Sequence, residues 1–209
     1  MRVVILAAST MKKTINDDEY SGKCITGIDL DNKRIVRFVS NKDGAPIENP
    51  FCDKFHTLDV FDVPEIEKCP KTCQTENVLG DYKKAIRCGK YENEVAILYN
   101  EIREIHRTEP SFMHNRSYKL DDVTPFAHSI ELVKVEDLHV FIQEYNGEKR
   151  TKCSFQYNGR PCKFFSVTDP EYALKESFVE DAYLAISIPA DKYKDKGYYK
   201  FVAAIYPIQ

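Results

Sequence analysis

Apolar positions in this chain alternate or cluster over short stretches more often than they recur at helical spacing. Residues 3–8 (VVILAA) form an unbroken apolar run. Residues 23–30 (KCITGIDL) and 34–39 (RIVRFV) flank the polar pair Asp31-Asn32, which predicts a strand followed by a hairpin. Residues 40–56 contain Asp43-Gly44 and two prolines without periodicity, so they read as a loop before a further strand at 57–63 (TLDVFDV) that Pro64 ends. The spacing of Tyr91, Val95, Leu98, Ile102 and Ile105 is four, three, four, three, placing all five on one face of a long helix between two strand-rich halves. Sequence leaves open whether that helix plugs the first half or bridges to the second. Residues 107–127, polar and with two prolines, form a candidate boundary, giving units at 1–110 and 125–209.

The second half carries the stronger turn signals. Runs at 129–145, 147–157 and 160–167 are separated by Asn146-Gly147 and Asn158-Gly159, and Asn-Gly between strand-like runs predicts a tight hairpin whose central residues need positive φ. Asp169-Pro170-Glu171 predicts the capped start of a short helix ending near Glu180. Two further strands, at 182–188 and 199–206, flank a turn-rich segment at 191–197 (DKYKDKG). No sequence repeat relates the halves. The pattern as a whole predicts a mainly β protein with a few helices.

Composition agrees. Of 209 residues, 13 are Tyr and 12 Phe with no Trp, a set that suits half-buried strand faces. The formal charge of -3 supplies no global field that would draw the chain to nucleic acid or an anionic membrane, so binding of that kind has to be local. No stretch approaches the length of a membrane span, and the apolar start is too short for the core of a signal peptide. With that start, seven cysteines point to reduced thiols and a cytoplasmic location rather than a disulfide framework.

Several segments, taken in order, resemble the dual OB-containing domain family of small bacterial proteins. They are VVILAAST, the Cys24-x-x-Gly27 turn in KCITGIDL, IVRFVS around Arg37, LDVFDV, and Gln74-Thr75-Glu76-Asn77. In the second half they are SIELVKV, SFQYNGRPCKFFSVTDP and YYKFVAAIY. The resemblance covers both halves and implies two small OB-like antiparallel barrels. It further implies nucleic-acid recognition, in a bacterial defence setting.

The residues themselves narrow where such binding would occur. A two-residue turn at Asn158-Gly159 pairs Tyr157 with Arg160, Phe155 with Cys162 and Cys153 with Phe164 on an apolar face, leaving Lys152, Ser154, Gln156 and Lys163 on the other with Arg150 continuing it. Between Gln143 and Phe165 five basic residues, Lys149, Arg150, Lys152, Arg160 and Lys163, meet only Glu144 and Glu148. A basic stripe near aromatic rings is what an oligonucleotide groove uses, cations for phosphates and rings for bases. The competing reading is a solvated sheet face. Arg37, Arg150, Lys152 and Lys163 are therefore candidate backbone contacts and Tyr157 a candidate stacking platform. Arg34 and Arg37 point to opposite strand faces, so at most one of them lines a groove. Gln74, Glu76 and Asn77 match the family pattern and offer donors and acceptors for base edges, against a turn-capping role.

Catalytic signals are weaker, and the expectation is a protein that is not an enzyme and needs no cofactor. Cys69 and Cys73 in CPKTC, with single Cys52 and Cys88, lack the paired knuckles of structural zinc. Cys24 with one of five histidines is a conceivable nucleophile, but strand alternation predicts its burial. Asp59 and Asp62 fall on opposite strand faces, and no glycine-rich phosphate loop is present. A protein-interaction or regulatory adaptor is the alternative reading, and a Cys- or metal-dependent hydrolase a third.

Overall fold

The unbroken apolar run near the N-terminus reflects burial on both sides of one strand. The computed structural model describes residues 1–15, 18–193 and 196–208. Strand β1 (Arg2–Ile15) sends Val3, Ile5 and Ala8 into the core of a first barrel and Val4, Leu6 and Ala7 into a separate core behind it. A bulge between Ile5 and Ala7 switches the alternation. Opposite that bulge lies Gly27, where a Cβ would stand 2.4 Å from the Val4 carbonyl oxygen. The Cys24-x-x-Gly27 segment is thus ladder, not turn, and glycine admits the close approach of the neighbouring backbone.

β1 pairs antiparallel with β2 (Asp18–Asp29), and β2 pairs with β3 (Arg34–Val39) to make the expected hairpin. β4 (Ile47–Glu48) adds to β2. β5 (Asp59–Asp62) returns beside β1, while β6 (Glu65–Lys68) pairs with β7 (Asn77–Gly80), which runs parallel to β3. Only Val63 and Pro64 separate β5 from β6. The two behave as one bent strand, and the ring β1-β2-β3-β7-β6/β5 closes through the chain itself. Its core holds Ile25, Val36, Phe38, Phe55 and Phe61. β8 (Ile86–Lys90) adds outside, on β5.

The helix, α1 (Val95–Ile105), begins later than its apolar stripe. Tyr91 stays in extended chain because its amide donates to the Leu58 carbonyl at 2.7 Å. Leu98 and Ile102 are buried in the core between the barrels, so the helix bridges rather than plugs. The following segment packs onto the second barrel: the short 3-10 helix Phe112–His114 buries Phe112 and Met113, and β9 (Lys119–Leu120) buries Leu120.

The second barrel is closed by hydrogen-bonded ladders in the order β10 (Ile130–Tyr145), β11 (Glu148–Tyr157), β12 (Arg160–Val167), β15 (Phe201–Pro207), β13 (Ser177–Ser187). β14 (Tyr198–Tyr199) pairs with β9. Both Asn-Gly turns adopt the positive φ their sequence predicts, 51° and 77° at Asn146-Gly147 and 51° and 67° at Asn158-Gly159. In each barrel the strands follow the order first, second, third, fifth, fourth, with third and fifth parallel. The halves therefore share a topology without sharing a sequence repeat, and that topology is the OB barrel's.

Two local expectations fail for identifiable reasons. The helix expected to reach Glu180 is a single 3-10 turn, Pro170–Tyr172: Asp169 caps it as predicted, accepting from the Glu171 amide at 3.0 Å, but Leu174 takes φ 51° and β13 then begins at Ser177. In the β11–β12 hairpin a bulge intervenes, so Cys153 pairs with Phe165 rather than Phe164. Phe164 takes φ 65° and turns outward. In the 191–197 segment, Lys194 and Asp195 lie outside the described residues.

The barrels share a third core. Val4, Leu6, Ala7, Ile28 and Ile35 of the first meet Ile130, Leu132, Ala185, Ala203, Ala204 and Tyr206 of the second, with α1 alongside. Strands buried on both faces lose polar alternation, which is why 199–206 also reads as nearly continuous apolar sequence. Among the described residues no helix is long and apolar enough to cross a membrane.

Candidate nucleic-acid interface

OB barrels bind oligonucleotides on the face of their second and third strands, with the loops joining strands one to two and four to five at the rims. In the first barrel that face is occupied. Ile28 and Ile35 lie in the shared core, and Arg37, next outward on β3, is 3% exposed. Its guanidinium reaches Glu76 Oε1 at 3.3 Å through Nε and Cys24 Sγ at 2.6 Å through Nη1. Across the junction, Nη2 reaches Ser129 Oγ at 2.6 Å and Ser187 Oγ at 3.3 Å. Arg37 is a tie between barrels, and no surface remains there for a phosphate. Arg34 points the other way, as alternation requires, to Asp29 at 3.1 Å and to Glu65.

Gln74, Glu76 and Asn77 belong to the same junction. Glu76 also accepts from the Ser129 hydroxyl, Gln74 Nε2 donates to the Ile188 carbonyl at 3.2 Å, and Asn77 Nδ2 reaches Gln74 Oε1 at 3.4 Å. All three are buried, and Gln74 and Glu76 bond across to the second barrel. Motif residues separated by more than a hundred positions thus converge on one polar network inside an apolar interface. Burial of such a network is tolerated where its charges are paired and hydrogen-bonded.

The corresponding face of the second barrel is open. Lys152 is half-buried on the outer face of β11 and donates to Ser166 Oγ at 2.8 Å; burial and the neighbouring Arg150 charge hold its pKa below the ordinary lysine value. Arg150 and Lys163 are exposed, with Arg150 paired to Glu148 at 2.6 Å. The β12 bulge places Phe164, 49% exposed, on this face, where it meets Phe141 edge-on at 6.4 Å. Tyr118, Gln143, Lys152 and Phe164 line a shallow depression of about 290 Å³. Beside it Tyr118 stacks on Tyr199 at 6.0 Å, Tyr193 meets Tyr199 edge-on at 6.0 Å, and Lys192 Nζ stands 5.8 Å from the Tyr198 ring. Tyr193, Tyr198 and Tyr199 come from the connection between the barrel's fourth and fifth strands and from β14, the rim where OB ligands are held.

Tyr157 does not join them. It occupies the core face of β11, half-buried against the second-barrel core, and burial raises its pKa. The cations lie on the outer face that strand alternation predicts, and Tyr157 lies on the opposite one. The rings on or beside that outer face are Phe141, Phe164, Tyr118, Tyr193 and Tyr199, none of which the sequence singled out. For Tyr193 and Tyr199 a signal existed in the interleaving of Lys192, Tyr193, Lys196, Tyr198 and Tyr199; for Phe164 none did, because a bulge is invisible to period-two counting.

The thiols make no comparable site. Cys73 is buried, its Sγ 3.7 Å from the Pro189 carbonyl oxygen, and burial pushes its pKa up to about 11; Cys69 is likewise raised by burial. Among the described residues no three of Cys52, Cys69, Cys73 and Cys88 converge, and no hydrogen bond joins a thiol to an imidazole.

Two barrels of OB topology, one masking the other's usual ligand face and the second leaving its own open, define a double-OB protein. The dual OB-containing domain matches the chain over residues 1–205, and the protein belongs to that family. No curated protein and no solved structure matches the chain.

Proposed function

We propose that the protein is a non-catalytic module that binds single-stranded nucleic acid, RNA or DNA, across the outer face of its second barrel. The observation that carries this reading is the depression between Lys152 and Phe164, set beside exposed tyrosines on the face and rim that OB barrels use. Arg150, Lys152 and Lys163 neutralise phosphates while Phe164, Tyr118 and Tyr193 offer surfaces on which bases stack. A role in bacterial defence is part of the proposal and rests on the family resemblance alone, and a cytoplasmic location is proposed from the cysteine usage.

Fluorescence anisotropy with labelled mixed-sequence single strands tests it. With three to four cations engaged, log affinity falls with log salt at a slope of about −2 to −3. Lys152→Ala lowers that slope by a little under one, and Phe164→Ala weakens binding by about 1–3 kcal/mol with the slope unchanged. Absence of binding at low salt, or binding insensitive to salt, overturns the proposal.

A protein-binding reading has one observation of its own. Ile66 on β6 and Ile86 on β8 are 67% and 68% exposed, and β8 is an edge strand able to pair with another chain. Retention of a stable protein partner that Ile86→Lys releases would favour it.

A further inference from the structure

Where α1 ends against the second barrel, two histidines and a carboxylate converge. Glu109 Oε2 lies 2.6 Å from His128 Nδ1 and 3.1 Å from His106 Nδ1, and the three candidate ligand atoms fall within 4.8 Å of one another. We infer that His106, Glu109 and His128 form a site for a divalent first-row metal ion of the zinc type, with a fourth position open to solvent.

Geometry and chemistry support this separately. Donor atoms around a tetrahedral zinc stand about 3.3 Å apart, given metal–ligand distances of about 2.0–2.1 Å, so small side-chain rotations bring these three to ligating positions. Two imidazoles and one carboxylate are the donor set of zinc sites that keep an open position. Glu109 is partly exposed, its side chain at 32%, which gives an ion a route in. Around the site the second layer is in place. His128 Nε2 lies 3.1 Å from Glu131 Oε1, and Glu131 is itself held by the Ser111 hydroxyl and the Phe112 amide, each at 2.7 Å. A carboxylate on the far nitrogen keeps a proton there and leaves Nδ1 bare for a metal, the arrangement that orients metal-binding histidines.

Hydrogen bonding without metal accounts for His128, whose two ring nitrogens each face a carboxylate oxygen. It does not explain His106. That ring stacks on His128 at 3.8 Å, directs its Nδ1 to the oxygen His128 already uses, and has no partner for its buried Nε2. An imidazole stacked on another, with a buried ring nitrogen that meets no partner, is left unsatisfied by hydrogen bonds alone, and the three groups together are a natural ligand set. The ion would clasp the end of the inter-barrel helix to the strand that opens the second barrel.

The test uses the full chain, stripped with chelator and free of any affinity tag, titrated with zinc by calorimetry and with cobalt by absorption. About one ion binds per chain, and the cobalt spectrum shows ligand-field bands without the charge-transfer band of thiolate, separating this site from the seven cysteines. His106→Ala lowers affinity at least 100-fold, and Glu131→Gln, a change outside the ligand shell, lowers it 10- to 100-fold. Since substitutions at His128 could disturb the fold, Glu109→Gln checked by circular dichroism serves as the second ligand variant. Failure to bind, binding that His106→Ala leaves unchanged, or a thiolate band that survives that variant overturns the inference.

Discussion

Replacing Arg37 with methionine keeps much of the side chain's bulk and removes every polar contact it makes across the junction. What remains is Glu76, with a side chain 5% exposed, held by the Ser129 hydroxyl and carrying a second oxygen that has no hydrogen-bond partner. Deleting one member of a buried ion pair in this way costs about 3–5 kcal/mol, most of it the uncompensated charge left behind. Arg37→Met/Glu76→Leu removes both charges and recovers much of that loss, so a double-mutant cycle yields a coupling of about 2–3 kcal/mol. Because the chain has no Trp, urea unfolding is followed by far-ultraviolet circular dichroism. Arg37→Lys is not a conservative change here, since an ammonium cannot span Glu76, Cys24, Ser129 and Ser187 at once. A loss below about 1 kcal/mol for Arg37→Met, or strict additivity in the cycle, refutes the assignment of Arg37 as an inter-barrel tie. A folded Arg37→Met should bind oligonucleotides as wild type does; a collapse of affinity in the folded variant would return Arg37 to the ligand surface.

Two further outcomes follow from buried groups. Lys200, 1% exposed, donates to the Phe112 carbonyl at 2.8 Å and to that of Asn115, and burial pulls its pKa down to about 8 from 10.5. Below pH 8 both folded and unfolded chains hold the proton; between about 8 and 10.5 only the unfolded chain does, so this lysine's destabilisation, about 3 kcal/mol, is relieved as pH rises. Wild-type stability minus that of Lys200→Met therefore climbs across that window, and a flat difference contradicts the depressed pKa. Gly27→Ala drives a methyl to 2.4 Å from Val4 O and 2.5 Å from Val3 Cγ1 and destabilises by about 1–3 kcal/mol or more, whereas Gly159→Ala meets no neighbour and loses about 1 kcal/mol to its φ of 67°. Equal losses at the two glycines in thermal melts would contradict the close approach at β1.

Much of the architecture was legible because it is local. The Asn-Gly turns declare their hairpins through backbone geometry alone, and the three-four spacing from Val95 to Ile105 declares α1. The alternation along β11 separates Cys153 and Phe155 from Lys152 and Ser154. What stayed hidden depends on distant pairing. Nothing near Arg37 says that Ser129 and Ser187 will close over it, so a strand arginine reads as a surface cation. Gln74, Glu76 and Asn77 read as a polar loop for the same reason. His106 and Glu109 stand three residues apart in the turn that follows α1, and His128 reaches them only after the chain has passed through Phe112 and Leu120 in the second-barrel core. Phe164 is exposed through one extra residue in the ladder, which shifts every outward position beyond it.

The middle core has a consequence for how the chain comes into being. Its first-barrel side, Val4, Leu6, Ala7, Ile28 and Ile35, is complete once β3 has left the ribosome, but its cover includes Ala203, Ala204 and Tyr206, whose hydroxyl donates to the Leu6 carbonyl from the last strand. During synthesis the first barrel therefore waits, with an apolar flank uncovered, for nearly the whole of the remaining sequence. Contacts of that separation fold late and leave a nascent chain prone to associate with its neighbours. Chains truncated before β15 should accordingly be recovered as aggregates or chaperone-bound species, and translation speed through the second half becomes a determinant of yield.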